Sequence, residues 1–421
     1  MIFRPMKYLI ANVALVAAVV SITPCSALSL GREPFETQAS PHGGSDGYLN
    51  RRDVMKDAAA ATSAGLASYV LSPNGLALPA SAASISPAIP TVKLGGSPLE
   101  VSRTIQGYWQ LAGKHGDYKE EDALENMRAH FEAGITTLDT ADIYGESERI
   151  MGKFVKMEKA AIPCTKFCCF RNLEDINKEQ VRKRIIKQCD KLQVSKLPLV
   201  AFFWSNYDVK RYVDVALMLT ELKGEGLIKQ IGATNFDLKR LKELKAAGVP
   251  IVSNQVQLSA MDRRPVQSGM ADWCSENDVS LIAFGTVGSG ILSERYLGQP
   301  APAQEQKNTA SIRMYSKTAE RFGNWELVQE LLQTMNAIAA DVRSSGRCEE
   351  ATIANVAQRY ILEGKAVASV LIGVRNKNHI AENVRSHSFQ LTDGERSTID
   401  AVVAKRNGPR GDVWDIERGN I

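Results

Sequence analysis

Eight short apolar runs, each followed by a helical pattern, constrain this chain more than any other feature. From about Thr91 onward the runs cover residues 102–106, 136–139, 163–167, 197–203, 228–232, 250–255, 279–284 and 367–373. Most are continuous rather than alternating, as parallel strands covered on both faces should be. Between them lie amphipathic stretches. In residues 120–132 Ala123, Met127, Ala129 and Phe131 share one helical side, and Gly134 ends the element. Residues 182–192, 209–223, 237–247, 265–277 and 352–363 behave the same way. Eight β-then-α units predict an α/β fold of the (β/α)8 TIM-barrel type rather than a doubly wound sheet, which closes with fewer strands. No Gly-x-Gly-x-x-Gly follows an early strand, so the chain lacks the mark of a Rossmann domain. The long interruption at 293–324 reads as a loop over the barrel mouth. Thr392-Asp393-Gly394-Glu395 is a capping box that opens a final helix through about Ala404.

Composition excludes other classes. With 44% apolar and 23% charged residues, the 421-residue chain has the profile of a water-soluble globular protein, not of a disordered, collagenous or disulfide-stapled one. Its 51 Lys+Arg against 47 Asp+Glu leave +4, too slight and too evenly spread for a nucleic-acid surface. No apolar run reaches the roughly 20 residues that cross a bilayer, so no membrane is expected in the mature form. Cys164, Cys168 and Cys169 sit close together, but nothing completes a zinc pattern, and they read as small core residues. No metal is expected.

Residues 1–90 read as a targeting leader. Arg4 and Lys7 precede an apolar stretch over 8–22, and Cys25-Ser26-Ala27 offers small residues to a peptidase, the pattern of a secretory signal peptide. After a polar segment, Arg51-Arg52-Asp53-Val54-Met55-Lys56 leads into an Ala-rich run ending at Ala80-Ser81-Ala82, a twin-arginine-like segment. That order resembles the multipart leader, or transit peptide, of a thylakoid-lumen protein. It predicts a plastid (chloroplast) destination, with the stroma or secretion as alternatives, and residues 91–421 as the folded barrel with its C-terminal helix and tail.

In such a barrel the chemistry sits at the carboxyl ends of the strands. The second run ends in Asp139-Thr140-Ala141-Asp142-Ile143-Tyr144-Gly145, and the third passes through Cys164-Thr165-Lys166. A Tyr is a poor proton donor near its reference pKa of about 10, and a nearby ammonium lowers that value. An Asp paired with the Lys keeps it charged and oriented. Asp139, Lys166 and Tyr144 therefore form a candidate general-acid unit for protonating an alkoxide.

On these residues the chain resembles the aldo-keto reductase family, over about residues 95–385. The pattern Asp-x-Ala-x-x-Tyr-Gly is Asp139 to Gly145, and the Lys ending strand three is Lys166. Gly232-Ala233-Thr234-Asn235-Phe236 and Asn254-Gln255 follow in the proper order. The runs from Ala283 to Leu292 and from Ile372 to Asn383 extend the match. The resemblance implies an NADP-dependent oxidoreductase, with NADPH extended across the mouth. Thr234, Asn235 and Gln255 match positions that hydrogen-bond the carboxamide, and Phe284 matches the aromatic under the nicotinamide. Gly285, Gly288, Ser289 and Leu292 would face the pyrophosphate. Arg375 and Lys377 are candidates for the 2′-phosphate, with Glu382 and Asn383 toward the adenine.

The family's fourth catalytic residue, a His ending strand four, is missing. Phe203 stands in its place within Phe202-Phe203-Trp204-Ser205. Phe cannot orient a carbonyl, although it can form an apolar substrate wall with Trp109 and Trp204. Loss of an oriented donor at a developing oxyanion costs on the order of 3 kcal/mol, about two decades in rate. Two functions are therefore expected: reduction of an aldehyde or ketone with Tyr144 as acid, attenuated by Phe203, or a weakly active NADP-binding sensor or regulatory subunit read out through residues 293–324. The only partner expected on the first reading is a small carbonyl substrate.

Overall fold

The computed structural model describes residues 89–419. The leader motifs at residues 25–27 and 51–56 lie outside them. Among the described residues ten strands are formed: β1 (Thr91–Lys93), β2 (Glu100–Ser102), β3 (Thr104–Gly107), β4 (Thr137–Asp139), β5 (Ile162–Cys169), β6 (Leu197–Trp204), β7 (Ile228–Thr234), β8 (Ile251–Gln257), β9 (Ser280–Phe284) and β10 (Val367–Gly373). Strands β3 to β10 pair in parallel in chain order, and β10 closes back onto β3 with Val370 opposite Thr104 and Gly373 opposite Gly107. The result is the expected (β/α)8 barrel.

Side-chain alternation sorts the strands into inner and outer layers. On β6 Leu199 and Phe203 point inward, while Val200, Phe202 and Trp204 pack outward under the helices. On β5 Cys164 and Cys168 belong to the inner clusters, and Phe167 and Cys169 to the outer core. The lower interior is filled by Ile105, Cys164, Leu199, Val252, Ile282 and Ala368. The β1–β2 hairpin, which the sequence pattern does not announce, adds Leu94 and Val101 to this cluster and seals that end. Its turn can do so because Gly95, at φ +52°, has no side chain; a Cβ there would lie 2.1 Å from the Asp278 carbonyl oxygen.

The outer ring begins with α1 (Glu120–Glu132), α2 (Ser147–Met157), α3 (Lys178–Leu192), α4 (Tyr212–Gly224) and α5 (Leu238–Ala246). Helix α3 starts at a reciprocal Asn177–Gln180 capping box. The stretch 265–277 is not one helix but two, α6 (Arg264–Gln267) and α7 (Met270–Glu276), because Gly269 takes φ +77° between them. The interruption at 293–324 is not a bare loop either. After short 3₁₀ turns it forms α8 (Ala310–Phe322), capped by Thr309, and runs through Asn324 into α9 (Trp325–Ser344). Helices α10 (Ile353–Leu362), α11 (Ile380–Arg385), α12 (Asp393–Val403) and α13 (Asp415–Arg418) complete the chain, with α12 starting at the expected Thr392–Glu395 box. The six described cysteines are all free.

Helices α2 and α3 approach unusually closely at Gly152, where a Cβ would stand 1.9 Å from the Lys191 carbonyl oxygen. Gly152→Ala is expected to destabilise the protein by about 1–3 kcal/mol in urea denaturation, overpacking outweighing the gain of about 1 kcal/mol in helix propensity.

Candidate active site

Asp139 ends β4, Lys166 lies inward on β5, and both are 4% exposed. The Lys166 ammonium donates to Asp139 Oδ2 and, at 2.8 Å, to the Thr140 carbonyl. Gln255, on the far side of the barrel, donates from Nε2 to Asp139 Oδ1 at 2.8 Å. Both carboxylate oxygens are thus occupied, which a buried charge requires. Tyr144 follows on a turn closed by its own N–H to the Ala141 carbonyl and by Ser147 N–H to the Tyr144 carbonyl. Lys166 Nζ sits 5.2 Å from the Tyr144 ring centroid. The structure therefore brings together the three residues singled out as the general-acid unit.

Electrostatics differ from the sequence expectation in one respect. Burial pushes the Tyr144 phenol up, Lys166 pulls it down and Asp139 pushes it up again, leaving it at about 12. Lys166 only offsets part of the burial, so the phenol stays protonated at neutral pH. Burial disfavours the Lys166 ammonium, but Asp139 first and then Tyr144 hold its pKa above the ordinary lysine value. Asp142, missed by sequence reasoning, anchors the Tyr144 turn. It takes a 2.5 Å bond from Arg184, which also donates to the Cys168 carbonyl. Arg184 stands on α3, too far along the chain for a local motif to connect the two.

Around the Tyr144 ring the wall is apolar. Ala141, Cys168 and Phe203 form its base, with Ile143, Tyr144, Phe170 and Trp414 packed against it. Phe203 is stacked obliquely on Phe170 at 5.0 Å and meets Trp414 edge-on at 6.4 Å. Burial, then Asp142, raises the Cys168 thiol well above its ordinary value, so it remains an uncharged SH. Trp204 does not join this wall. Strand alternation turns it outward, fully buried, with Nε1 donating to the carbonyls of Asn206 and Val209. Trp109 opens a 3₁₀ turn after β3 and meets His115 edge-on at 4.8 Å.

The residues matched to a nicotinamide cofactor fall into three groups. Thr234, Asn235 and Gln255 lie together at the ends of β7 and β8: Thr234 Oγ1 and Asn235 N–H both donate to the Gln255 carbonyl. Asn235 is held at φ +56°, and its Oδ1 is buried without a partner, an open acceptor suited to a carboxamide NH₂. Phe284 ends β9 half-buried, and Gly285, Gly288, Ser289 and Gly290 follow with positive φ, while Leu292 is buried in the core. Within this loop the N–H groups of Gly288, Gly290 and Leu292 donate to the carbonyls of Gly285 and Val287, so in this conformation those three do not face a pyrophosphate as the resemblance implied. Tyr315 of α8 lies directly over the loop, its Cε1 2.5 Å from where a Gly285 Cβ would be. The third group is more dispersed. Arg375 is exposed and lies beside Gly116, at a cavity of about 120 Å³ lined also by Gln110 and His115. Lys377 is engaged in an exposed ion pair with Glu125. Glu382 accepts from Thr352 and pairs with His379, and Asn383 Oδ1 accepts from Gln358.

A closed parallel barrel with a buried Lys–Asp pair and a Tyr at its mouth is the arrangement of a barrel oxidoreductase. The chain belongs to the aldo/keto reductase family, whose family model matches residues 104–404. Members of the family are oxidoreductases that use nicotinamide cofactors on small carbonyl substrates. The chain is similar to the chloroplastic pyridoxal reductase of Arabidopsis thaliana, 23% identical over 348 residues that cover 77% of this chain and 88% of that protein. It is also similar to the NADH-specific methylglyoxal reductase of Escherichia coli, 22% identical over 73% of this chain and 96% of that one. Among solved structures, the holo form of an aldo-keto reductase from Bacillus halodurans superposes with a TM-score of 0.61 and 24% identity, covering 78% of this chain and 99% of that chain.

Two expectations follow. Asp139→Asn and Lys166→Met should each cost about 3–5 kcal/mol in urea denaturation, because each leaves a buried charge unpaired, and the double variant should lose less than the sum. The second concerns acid. Burial, with Arg375 and Arg313 adding, lowers His115 to about 4; burial, with Arg359 and Arg103, does the same to His387. Unfolded, both titrate near 6.5, so between about 6.5 and 4 the unfolded chain binds protons that the fold refuses, and stability falls as pH falls. Thermal melts at pH 7 and pH 5 should show this loss, and His387→Gln should shrink it.

Proposed function

We propose that the chain is an NADPH-dependent carbonyl reductase that converts an aldehyde or ketone to an alcohol, with Tyr144 as general acid. The observation that carries this reading is the buried Lys166–Asp139 pair beneath the Tyr144 ring at the open end of the barrel. When bound, the reduced nicotinamide supplies the hydride. Thr234, Asn235 and Gln255 would hold its carboxamide, Phe284 its ring face, and Gly285 and Ser289 its pyrophosphate. The unpartnered Asn235 Oδ1 supports that assignment. Arg375, exposed and without an ion pair among the described residues, supports a 2′-phosphate and hence NADPH over NADH. Lys377 would join it by leaving Glu125, with Glu382 and Asn383 toward the adenine.

The phenol gives its proton to the carbonyl oxygen as charge builds there. The Lys166 ammonium stabilises the phenolate left behind, and Asp139, fixed by Gln255, holds the ammonium in place. Phe203 donates nothing, so the carbonyl oxygen meets one donor instead of two. For that reason a second reading stands beside the first, an NADP-binding sensor or regulatory subunit with weak turnover. The order of signals in residues 1–90 supports a leader removed on import and a plastid location, in the thylakoid lumen ahead of the stroma. A chloroplastic relative agrees with the plastid.

Titration should show quenched or blue-shifted NADPH fluorescence on either reading. The reductase alone should oxidise NADPH with a panel of aldehydes, and Tyr144→Phe should lower that rate by about two decades or more. Phe203→His should raise it, by up to about a hundredfold. Binding with no turnover of any aldehyde, ketone or quinone would leave the sensor reading in place.

A further inference from the structure

We infer that Gln188, aimed by Glu148, is a positioning residue that sets the Lys166 ammonium against the Tyr144 phenol. The inference rests on the carbonyl-reductase reading and deepens it. Both side chains lie on the outer side of β5, between strand and helices, and act through the peptide of Lys166.

The strand pattern creates the need for such a device. Strand β4 ends at Asp139, opposite Cys164, whereas β5 runs on to Cys169. Lys166 and Cys168 therefore lie beyond the last regular pair, and their backbone groups on that side need other partners. Thr140 N–H still reaches the Cys164 carbonyl at 2.9 Å, but Asp142 N–H reaches that of Lys166 only at 3.4 Å. Helix α3 supplies what β4 no longer does. Gln188 Nε2 donates to the Lys166 carbonyl at 2.9 Å, and Arg184, one turn earlier, donates to the Cys168 carbonyl at 2.8 Å. The spacings agree, since four helical residues and two strand residues both span about 6–7 Å.

Gln188 is itself held. It is 2% exposed, and its amide also donates to Glu148 Oε1 at 3.0 Å, so both N–H bonds are used. Turned over, the amide would set its oxygen against a carbonyl and a carboxylate, so one orientation is enforced. Glu148, buried on α2, also accepts from Thr165 Oγ1 at 2.8 Å and from Lys191 Nζ at 3.1 Å. It reaches α3 because the two helices close at Gly152, one turn further along α2. Packing alone does not account for an amide here. Gln188 Oε1 is buried without a partner, a cost that an apolar side chain of the same size would avoid.

The Lys166 carbonyl is the joint of the site. Its own residue carries the ammonium that meets Asp139 and the Thr140 carbonyl, and the Asp142 N–H it accepts belongs to the turn that carries Tyr144. Released from Gln188, that carbonyl keeps only the long Asp142 bond. The ammonium then loses its fixed distance from the phenol, and proton delivery slows while the groups matched to the cofactor on β7 and β8 are untouched.

The test uses the whole chain and the best aldehyde of the panel, with NADPH fluorescence titration giving both affinity and the number of competent sites. Gln188→Met, of similar size without a donor, should lower kcat per competent site about tenfold, the scale of one buried hydrogen bond, and leave KM and NADPH affinity within about twofold. The solvent isotope effect on kcat should rise as proton transfer becomes slower. Glu148→Gln, which keeps an acceptor for Thr165 and Gln188, should stay within about threefold of wild type, whereas Glu148→Ala should match Gln188→Met. The decisive comparison places Gln188→Met in the Tyr144→Phe background and follows single turnovers with enzyme in excess. Acting through Lys166 and Tyr144, loss of Gln188 should change that residual rate by less than about twofold; a merely structural role would lower it by about the same factor as in wild type. Gln188→Asn, whose amide stops one methylene short, makes the same comparison where Gln188→Met fails a circular-dichroism melt. Unchanged kcat in the Gln188 variant, or equal losses in the two backgrounds, overturns the inference alone. A wild-type chain that turns over no carbonyl overturns the reading beneath it and the inference with it.

Discussion

Everything at the mouth of this barrel is arranged around one buried ion pair. Lys166 and Asp139 stand on neighbouring strands in an interior where neither charge is tolerable alone, and Gln255 and the Thr140 carbonyl take up what each leaves unsatisfied. Desolvation makes such a pair weak evidence for stability. Its value here lies in position. It fixes a permanent positive charge under the Tyr144 ring without requiring that charge to be solvated, and it ties β4, β5 and β8 to a common register.

The barrel is legible in the sequence because its strands are buried on both faces, so most appear as short, largely apolar runs, each followed by a helical pattern. All eight reappear, none displaced by more than two residues at either end. What the sequence concealed is tertiary in origin. The β1–β2 hairpin is too short to show alternation, and the split at Gly269 costs the amphipathic pattern nothing. Residues 293–324 read as a loop from their Gly, Pro and Gln content, yet α8 forms inside that stretch because its buried face, including Ile312, Tyr315 and Phe322, packs onto the glycine loop after β9.

The site divides in the same way. Asp139, Tyr144 and Lys166 lie close in sequence on consecutive strand ends, so spacing alone was enough to group them. The sequence puts Trp204 beside Phe203 and so suggests one shared wall, but adjacent residues on a strand face opposite ways. The reverse error concerns Trp414, which lies over two hundred positions from Phe203 and reaches it only through the return of the chain across β6 and β7. No local signal could have found it; burial and bonding of the segment in three dimensions do.

The sealed lower end of the cylinder bears on kinetics as much as on packing. With Leu94 and Val101 filling it and Gly95 pressed against the Asp278 carbonyl, the interior is a blind alley with one doorway. Whatever enters must depart by the same route.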